Sequence, residues 1–413
     1  MKTAHMDPSA GQNWSCHSCG ECCRNHLLIT VSPEEKQRIE QQNWTAADGV
    51  NPLGLIVSGL GRHRLGHQVD GACVFLDSSA RCRIHSKFGE AAKPLACRLY
   101  PLVIHPAGNE WKVGLRFSCP SATDNRGRPL AEQGAALQKL AKEVLPEGWK
   151  QSPPPPVAEA SGLGWPDFLR FTRWLDHTLA APQIPVSLKL VQALDWLNRV
   201  ERGCLDQIAG EGAEEILDAL VASAAEKTTG LPADIEKPSP IGRLFLRLLV
   251  LEHARSVTVA DQDVRSASRW KTLAAAFRLA RSRGRTPALR EGLKRVEFAD
   301  IEKPFGPIPP GAEALLTRYF RVKVQSLHFC GRAFHGRPLI EGFRNLALLY
   351  PVILWLARWL AVSDGRSALS ESDVVRAVRL ADHSYSYSPY MSWRTRLLHQ
   401  RNDIVRLCRW YAQ

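Results

Sequence analysis

The chain has 413 residues, 54 Lys plus Arg against 41 Asp plus Glu, and 11 cysteines. At ~150 residues per domain this means two or three domains, and 45% apolar with 23% charged residues excludes the disordered and fibrous classes. Both the thiols and the charge are unevenly placed. Cys16, Cys19, Cys22, Cys23, Cys73, Cys82, Cys97 and Cys119 fall in the first 119 residues, while residues 241–413 carry 29 Lys/Arg against 14 Asp/Glu, a net of +15.

In chain order, the leader Met1–Trp14 has no apolar core and no small-residue cleavage site, so no secretory signal is expected. His26–Val31 reads as a strand. Ser32-Pro33-Glu34-Glu35 is a capping box with proline at the first helical position, opening a helix to about Gln42. Ala72–Leu76 and Arg81–His85 read as a hairpin around Asp77–Ala80. Pro101–His105 and Trp111–Phe117 read as a second hairpin joined by Pro106–Asn109. Leu130–Val144 is helical in pattern, and Ser152–Pro156 is a stiff extended linker. Helices are then expected over Asp167–Leu179, Ser187–Val200, Glu214–Ala225, Ile241–Arg255, Arg269–Arg281, Ala312–Phe329, Ile340–Ala361 and Ser370–His383, the last with Ser370 and Asp373 as an N-cap pair. The expected fold class is a small cysteine-rich α+β domain followed by a larger all-α domain. Its divisions are a cysteine domain at 1–125, a connecting helix at 126–151, a linker at 152–164 and a basic helical domain at 165–413.

Leu346–Val362 is the most apolar run, but it contains Arg358 and has Pro351 at its middle. A buried helix of the basic domain is the expectation, and with it a cytoplasmic protein. In a reducing compartment clustered thiols point to metal rather than to disulfides.

Cys16, Cys19 and Cys22 recur at intervals of three with Gly20 between, and Cys23 follows directly. Two intervening residues let the chain curl so that neighbouring sulfurs reach one metal, and glycine supplies the positive φ such a loop needs. Adjacent side chains diverge, so Cys22 and Cys23 are not expected to face one site equally. Cys73, Cys82 and Cys97 each lie beside a strand or turn that aims them back at the loop, and Cys119-Pro120 is like the Cys-Pro that ends a ferredoxin ligand run. The compact run is closer to iron–sulfur spacing than to the paired hooks of zinc. A [4Fe–4S]-type cluster is therefore the first expectation and zinc the second, and eight thiols also suffice for two four-ligand sites. His17 and His85 are expected beside the site rather than in it. Cys204, Cys330 and Cys408 are expected as packed thiols on helices.

Four blocks carry a family resemblance: Trp14–Cys23 (WSCHSCGECC), Gly71–Leu76 (GACVFL), Arg81–His85 (RCRIH) and Pro94–Pro101 (PLACRLYP). In this order they resemble the YkgJ-type cysteine-cluster proteins, described as zinc- or iron-chelating and often called Fe–S oxidoreductases. The resemblance implies metal at Cys16, Cys19, Cys22, Cys23, Cys73, Cys82 and Cys97, with Cys119 outside the core blocks. Ala314–Phe320 (ALLTRYF) and the apolar helices after it are loosely similar to flagellin lysine methylases, which implies methyl transfer to protein lysine as an alternative activity. No Gly-x-Gly-x-x-Gly loop accompanies that similarity, and the cysteine loop is one residue short of the Cys-x3-Cys-x2-Cys radical-SAM run.

No nucleophile elbow, zincin or P-loop motif occurs, so no catalytic residue is assigned, and the chain stands as an Fe–S oxidoreductase, a lysine N-methyltransferase or a non-enzymatic metal protein. Arg269–Arg295 holds nine Lys/Arg and one acid, Glu291. The expectation there is a solvated basic face with Leu273, Phe277 and Leu279 packed inward. A protein substrate or acidic partner is expected at this basic domain, ahead of nucleic acid or a membrane.

Overall fold

The computed structural model describes residues 11–25, 29–59, 62–159, 162–229, 235–255, 265–385, 392–400 and 402–413. Residues 1–10 of the leader and 26–28 of the first expected strand lie outside the described residues. The N-terminal part is small and strand-rich, and the rest is almost wholly helical, as expected.

The N-terminal part runs β1 (Asn13–Trp14), α1 (Glu21–Asn25), β2 (Thr30–Val31), α2 (Pro33–Gln41), β3 (Ile56–Gly59), β4 (Arg62–Leu65), α3 (Arg83–Phe88), α4 (Leu95–Leu99), β5 (Leu102–Ala107), β6 (Glu110–Leu115), α5 (Pro120–Thr123), β7 (Arg128–Pro129) and α6 (Gly134–Val144). β2, β4 and β3 form an antiparallel sheet in that order, with Thr30 opposite Arg64 and Ile56 opposite Leu65. The capping box forms: Ser32 Oγ accepts from Glu35 N at 3.2 Å and Glu35 Oε2 accepts from Ser32 N at 2.9 Å. β5 and β6 make the second expected hairpin, turning tightly at Gly108-Asn109. The first does not form. Leu76 and Cys82 make an isolated bridge, and the residues after Cys82 wind into α3. Asp77 Oδ1 accepts from both Ser79 N and Arg81 N and closes the turn, and the chain past Cys82 goes straight into α3 rather than along a strand.

The helical part contains α7 (Trp165–Ala180), α8 (Val186–Arg202), α9 (Glu211–Thr229), α10 (Pro240–Ala254), α11 (Arg265–Arg281), α12 (Phe298–Ile301), α13 (Pro310–Gln325), α14 (Leu339–Ser363), α15 (Glu371–Ser384), α16 (Ser392–Gln400) and α17 (Asp403–Trp410). The last two are not among the expected helices, although Ile404, Leu407, Cys408 and Tyr411 recur at helical spacing and are buried. α13 stops at Gln325 rather than Phe329, where Leu327 takes a φ of +56°. The expected Ser370–Asp373 capping box at the head of α15 is present.

α14 is the axis of the fold. Every residue but Val362 is buried, and 94% of its most apolar window is covered by the rest of the chain. Such enclosure is what a core helix shows. Arg358 is reconciled with that setting by donating to the carbonyls of Lys303 (3.1 Å), Tyr411 (3.1 Å) and Gln413 (2.5 Å) while lying over the Phe305 and Tyr411 rings. The guanidinium thus ties the end of the chain to the core.

Two apolar cores result. A small one gathers Ile39, Trp44, Leu65, Val74, Phe75 and Ile84. The large one joins the helical bundle to the β5–β6 hairpin through Leu102, Ile104, Trp111, Leu115, Phe117 and Cys119. The proline stretch is extended, and it is also docked: Leu339 N donates to Pro156 O at 2.9 Å and Ile340 N to Val157 O at 3.0 Å.

Candidate metal centre

The cysteine loop hangs between two anchors. Upstream, Trp14 pairs with Arg128 in the β1–β7 ribbon, and Ser15 N donates to Arg126 O at 3.1 Å. Downstream, Gly20 has a φ of +73°, and a Cβ there would meet Ala80 Cβ at 3.0 Å and Ala80 O at 3.2 Å. The loop is thereby pressed on the Asp77–Ala80 turn, and Gly20 O accepts from Cys23 N at 2.9 Å to start α1. Gly20→Ala is expected to cost ~1–2 kcal/mol of N-terminal stability through backbone strain alone, read as a lowered melting midpoint. An unchanged midpoint would show that this anchor is slack.

Cys22 and Cys23 lie on α1 with their sulfurs 3.9 Å apart, far beyond the ~2.05 Å of a disulfide. All the described cysteines are free thiols. Cys23, Cys73, Cys82 and Cys97 pack on the same small core, from four separate segments. The segments are stitched by backbone: Cys73 N donates to Cys23 O at 2.7 Å, Cys73 bridges His67, and Cys82 bridges Leu76. Arg83 braces the turn by donating to Asp48 O at 2.8 Å and Leu76 O at 2.5 Å.

Cys97 is aimed by a contact the sequence did not reveal. The second carboxylate oxygen of Glu35 accepts from Leu95 N at 2.6 Å, so the capping box of α2 also holds the start of α4. At the other end of α4, Arg98 forms an ion pair with Glu143 of α6. Cys119 is buried in the large core as the N-cap of α5, its carbonyl accepting from Ala122 N and Thr123 N. Cys16 and Cys19 are exposed on the loop between. His17 leans toward Cys119's helix, with Nδ1 2.8 Å from Ser121 Oγ, whereas His85 is exposed.

The thiols constrain one another electrostatically. The Cys22 thiol is raised by its contact with Cys23 and by burial. Cys23 is helped toward ionisation by Cys22, but its contact with Cys73 and burial outweigh that and raise it. Burial pushes Cys97 up to about 12, Cys82 and Cys22 adding to it against Lys93, and burial also raises Cys119. Several thiolates in one quarter of a domain require a cation for company. The donor set is therefore chemically suited to a soft thiophilic metal. The thiols are gathered rather than closed: among the described residues no three Cys, His, Asp or Glu side chains converge on one point as a finished ion site.

A family comparison bears on this gathering. Residues 15–120 match the CxxCxxCC family, described as a "putative zinc- or iron-chelating domain". The N-terminal part of the chain is thus similar to a metal-chelating domain over those residues. The match spans all eight clustered cysteines, Cys119 included, and so extends past the four blocks legible in sequence. Neither the curated proteins nor the solved structures offer a match to this chain, and the resemblance to lysine methylases finds no support in them. The metal-chelating match thus lies in the cysteine-rich part, and the helical part lies outside it.

The stretch Ala314–Phe320 that suggested a methylase has a structural task here. Arg318 donates to Gln12 Oε1 (2.7 Å), Ala122 O (2.9 Å) and Thr123 O (2.5 Å), and lies over the Phe117 ring. Burial draws the guanidinium down to about 10. Tyr319 meets Phe117 edge to face at 5.0 Å. α13 therefore clamps the backbone on which Cys119 sits. Of the remaining cysteines, Cys408 is on a helix as expected, but Cys204 is exposed at a φ of +51° and Cys330 is buried in the turn beyond α13.

Proposed function

We propose that the chain holds a [4Fe–4S]-type cluster on thiolates drawn from Cys16, Cys19, Cys22, Cys23, Cys73, Cys82, Cys97 and Cys119, in a redox or structural role. The observation that supports it best is the assembly of Cys22, Cys23, Cys73, Cys82 and Cys97, distant in sequence, at one edge of the small core. A zinc finger of paired hooks calls for four thiols. Five gathered thiols with two more on an exposed loop suit a bulkier group that takes four and leaves others as neighbours. Bound there, the cluster supplies one-electron chemistry or a covalent staple of four segments.

The residues of the chain divide the work. Gly20 and the Asp77–Ala80 turn fix the loop, Glu35 fixes Cys97, and the apolar wall of Phe75 and Val74 excludes water from one side. Lys93 places a positive charge near Cys22 and Cys97, favouring their thiolates. Zinc in the same thiols is the second reading, carried by the family description.

Anaerobic purification with iron, acid-labile sulfide and zinc analysis tests the proposal. Equal iron and sulfide with a brown chromophore is the expected result, and Cys23→Ser combined with Cys82→Ser is expected to lower iron by about ten-fold or more. A colourless protein with stoichiometric zinc and no iron would overturn the cluster while leaving a thiolate metal site.

A further inference from the structure

The sequence pattern of α11 suggested that Leu273, Phe277 and Leu279 pack inward. The structure corrects this. Leu279 and Ala275 face the core, at 0% and 4% exposure, while Trp270, Leu273 and Phe277 stand in solvent at 73%, 58% and 61%. These three recur at helical spacing and make one apolar ridge about 10 Å long. Large apolar side chains exposed singly are ordinary, but three aligned on one helix face are not.

The ridge is rimmed by cations. Lys271 and Arg278 are exposed on one flank, Arg281 lies at its end 5.7 Å from the Phe277 ring, and Arg283 is exposed beyond it. None of these four forms an ion pair with a described carboxylate. Arg285, the next cation, is paired to Glu297. No Asp or Glu occurs between Arg265 and Arg290. Among the described residues the flank is therefore positive charge without a carboxylate partner, beside exposed Trp, Leu and Phe.

The geometry points to an anionic lipid surface as the occupant of this ridge, with the chain attached peripherally through α11. A helix with cationic flanks and a Trp/Leu/Phe face lies in a bilayer interface with its apolar residues in the acyl boundary and its cations at the headgroups. Shape favours a surface over a protein partner. A specific protein interface covers ~800 Å² per partner, whereas a ridge of three side chains offers far less. A bilayer accepts such a ridge without needing a complementary contour. Charge complementarity supplies the rest, since the half of the chain that carries α11 is net +15.

The full-length protein is tested by co-sedimentation with vesicles of phosphatidylcholine alone and of phosphatidylcholine with phosphatidylglycerol. Binding to the anionic vesicles alone, weakening as salt is raised, is expected. The variant Trp270→Ser/Leu273→Ser/Phe277→Ser is expected to bind about ten-fold or more weakly, and Lys271→Glu/Arg278→Glu/Arg281→Glu likewise. All six side chains are exposed, so circular dichroism should be unchanged in both variants. Absence of binding to anionic vesicles at low salt overturns the proposal, and so does equal binding by the serine variant. Selective binding of a single-stranded oligonucleotide by the wild type, lost in the serine variant while vesicles are ignored, overturns it in favour of nucleic acid.

Discussion

Lys323→Met is expected to lower the unfolding free energy by ~3–5 kcal/mol, because it removes the cation in contact with a buried carboxylate. Lys323 and Asp382 are both 0% exposed, and their charged atoms lie 2.5 Å apart. Burial opposes both charges. It draws Lys323 down to about 8 against the pull of Asp382. Burial would equally raise Asp382, but Lys323, Arg116 and a hydrogen bond from Ser118 N outweigh it and hold the carboxyl below its ordinary range. The carboxylate also accepts from Tyr319 Oη at 3.2 Å and from Ser118 N at 3.0 Å. Lys323 in turn donates to His328 Nδ1 at 3.0 Å. Replacing both charges, Lys323→Met with Asp382→Leu, is expected to recover part of the loss, since the buried carboxylate is removed together with its contact cation. Denaturant unfolding followed by tryptophan fluorescence measures this. A loss below ~1 kcal/mol for Lys323→Met would show that Asp382 finds compensation elsewhere. Because Ser118 immediately precedes Cys119, the same variant is expected to loosen the α5 end of the metal centre.

Acid is expected to unfold the protein well above the usual carboxylate range. Burial holds His105 and His253 down to about 4, with Lys323 and Arg116 also opposing charge on His105. Burial likewise keeps His328 well below 6.5. These imidazoles stay neutral in the folded protein while an unfolded chain binds protons on them from about pH 6.5 downward. The unfolded state therefore holds more protons between pH ~6.5 and ~4, and stability falls as pH is lowered through that window. For fully buried His253 the difference amounts to as much as ~3 kcal/mol. His253→Gln, which stays neutral, is expected to flatten the pH dependence of the denaturation midpoint between pH 6.5 and 4.5. An equally steep profile in that variant would place the acid sensitivity elsewhere.

Sequence revealed what depends on neighbours along the chain. The thiol spacing, the Ser32–Glu35 and Ser370–Asp373 capping boxes and the Gly108-Asn109 turn are local devices, and each is present in the structure. The Lys323–Asp382 pair, the clamp of Arg318 on Ala122 and Thr123, and the second bond of Glu35 join residues far apart in sequence, where no local spacing announces them. The α11 face was misread for a different reason. Alanines at 274, 275, 276 and 280 give the helix two faces of comparable apolarity, and periodicity alone does not say which one turns inward. Arg81–His85 is ambiguous because a short run with one isoleucine suits a strand or a helical turn equally, and in the structure it is a helical turn.

The large core has a practical consequence for anyone who would cut the chain at its prolines. A fragment ending near residue 151 keeps every clustered thiol but strips the cover from Leu115 and Phe117, each 0% exposed, and from Ile104 at 6%. It also loses Arg318 and Asp382, which hold the backbone on either side of Cys119. Such a piece is expected to be sticky and to bind metal poorly for reasons unrelated to its ligands. A low metal content measured on it would report amputation rather than chemistry, so the whole polypeptide is the smallest unit on which loading should be judged.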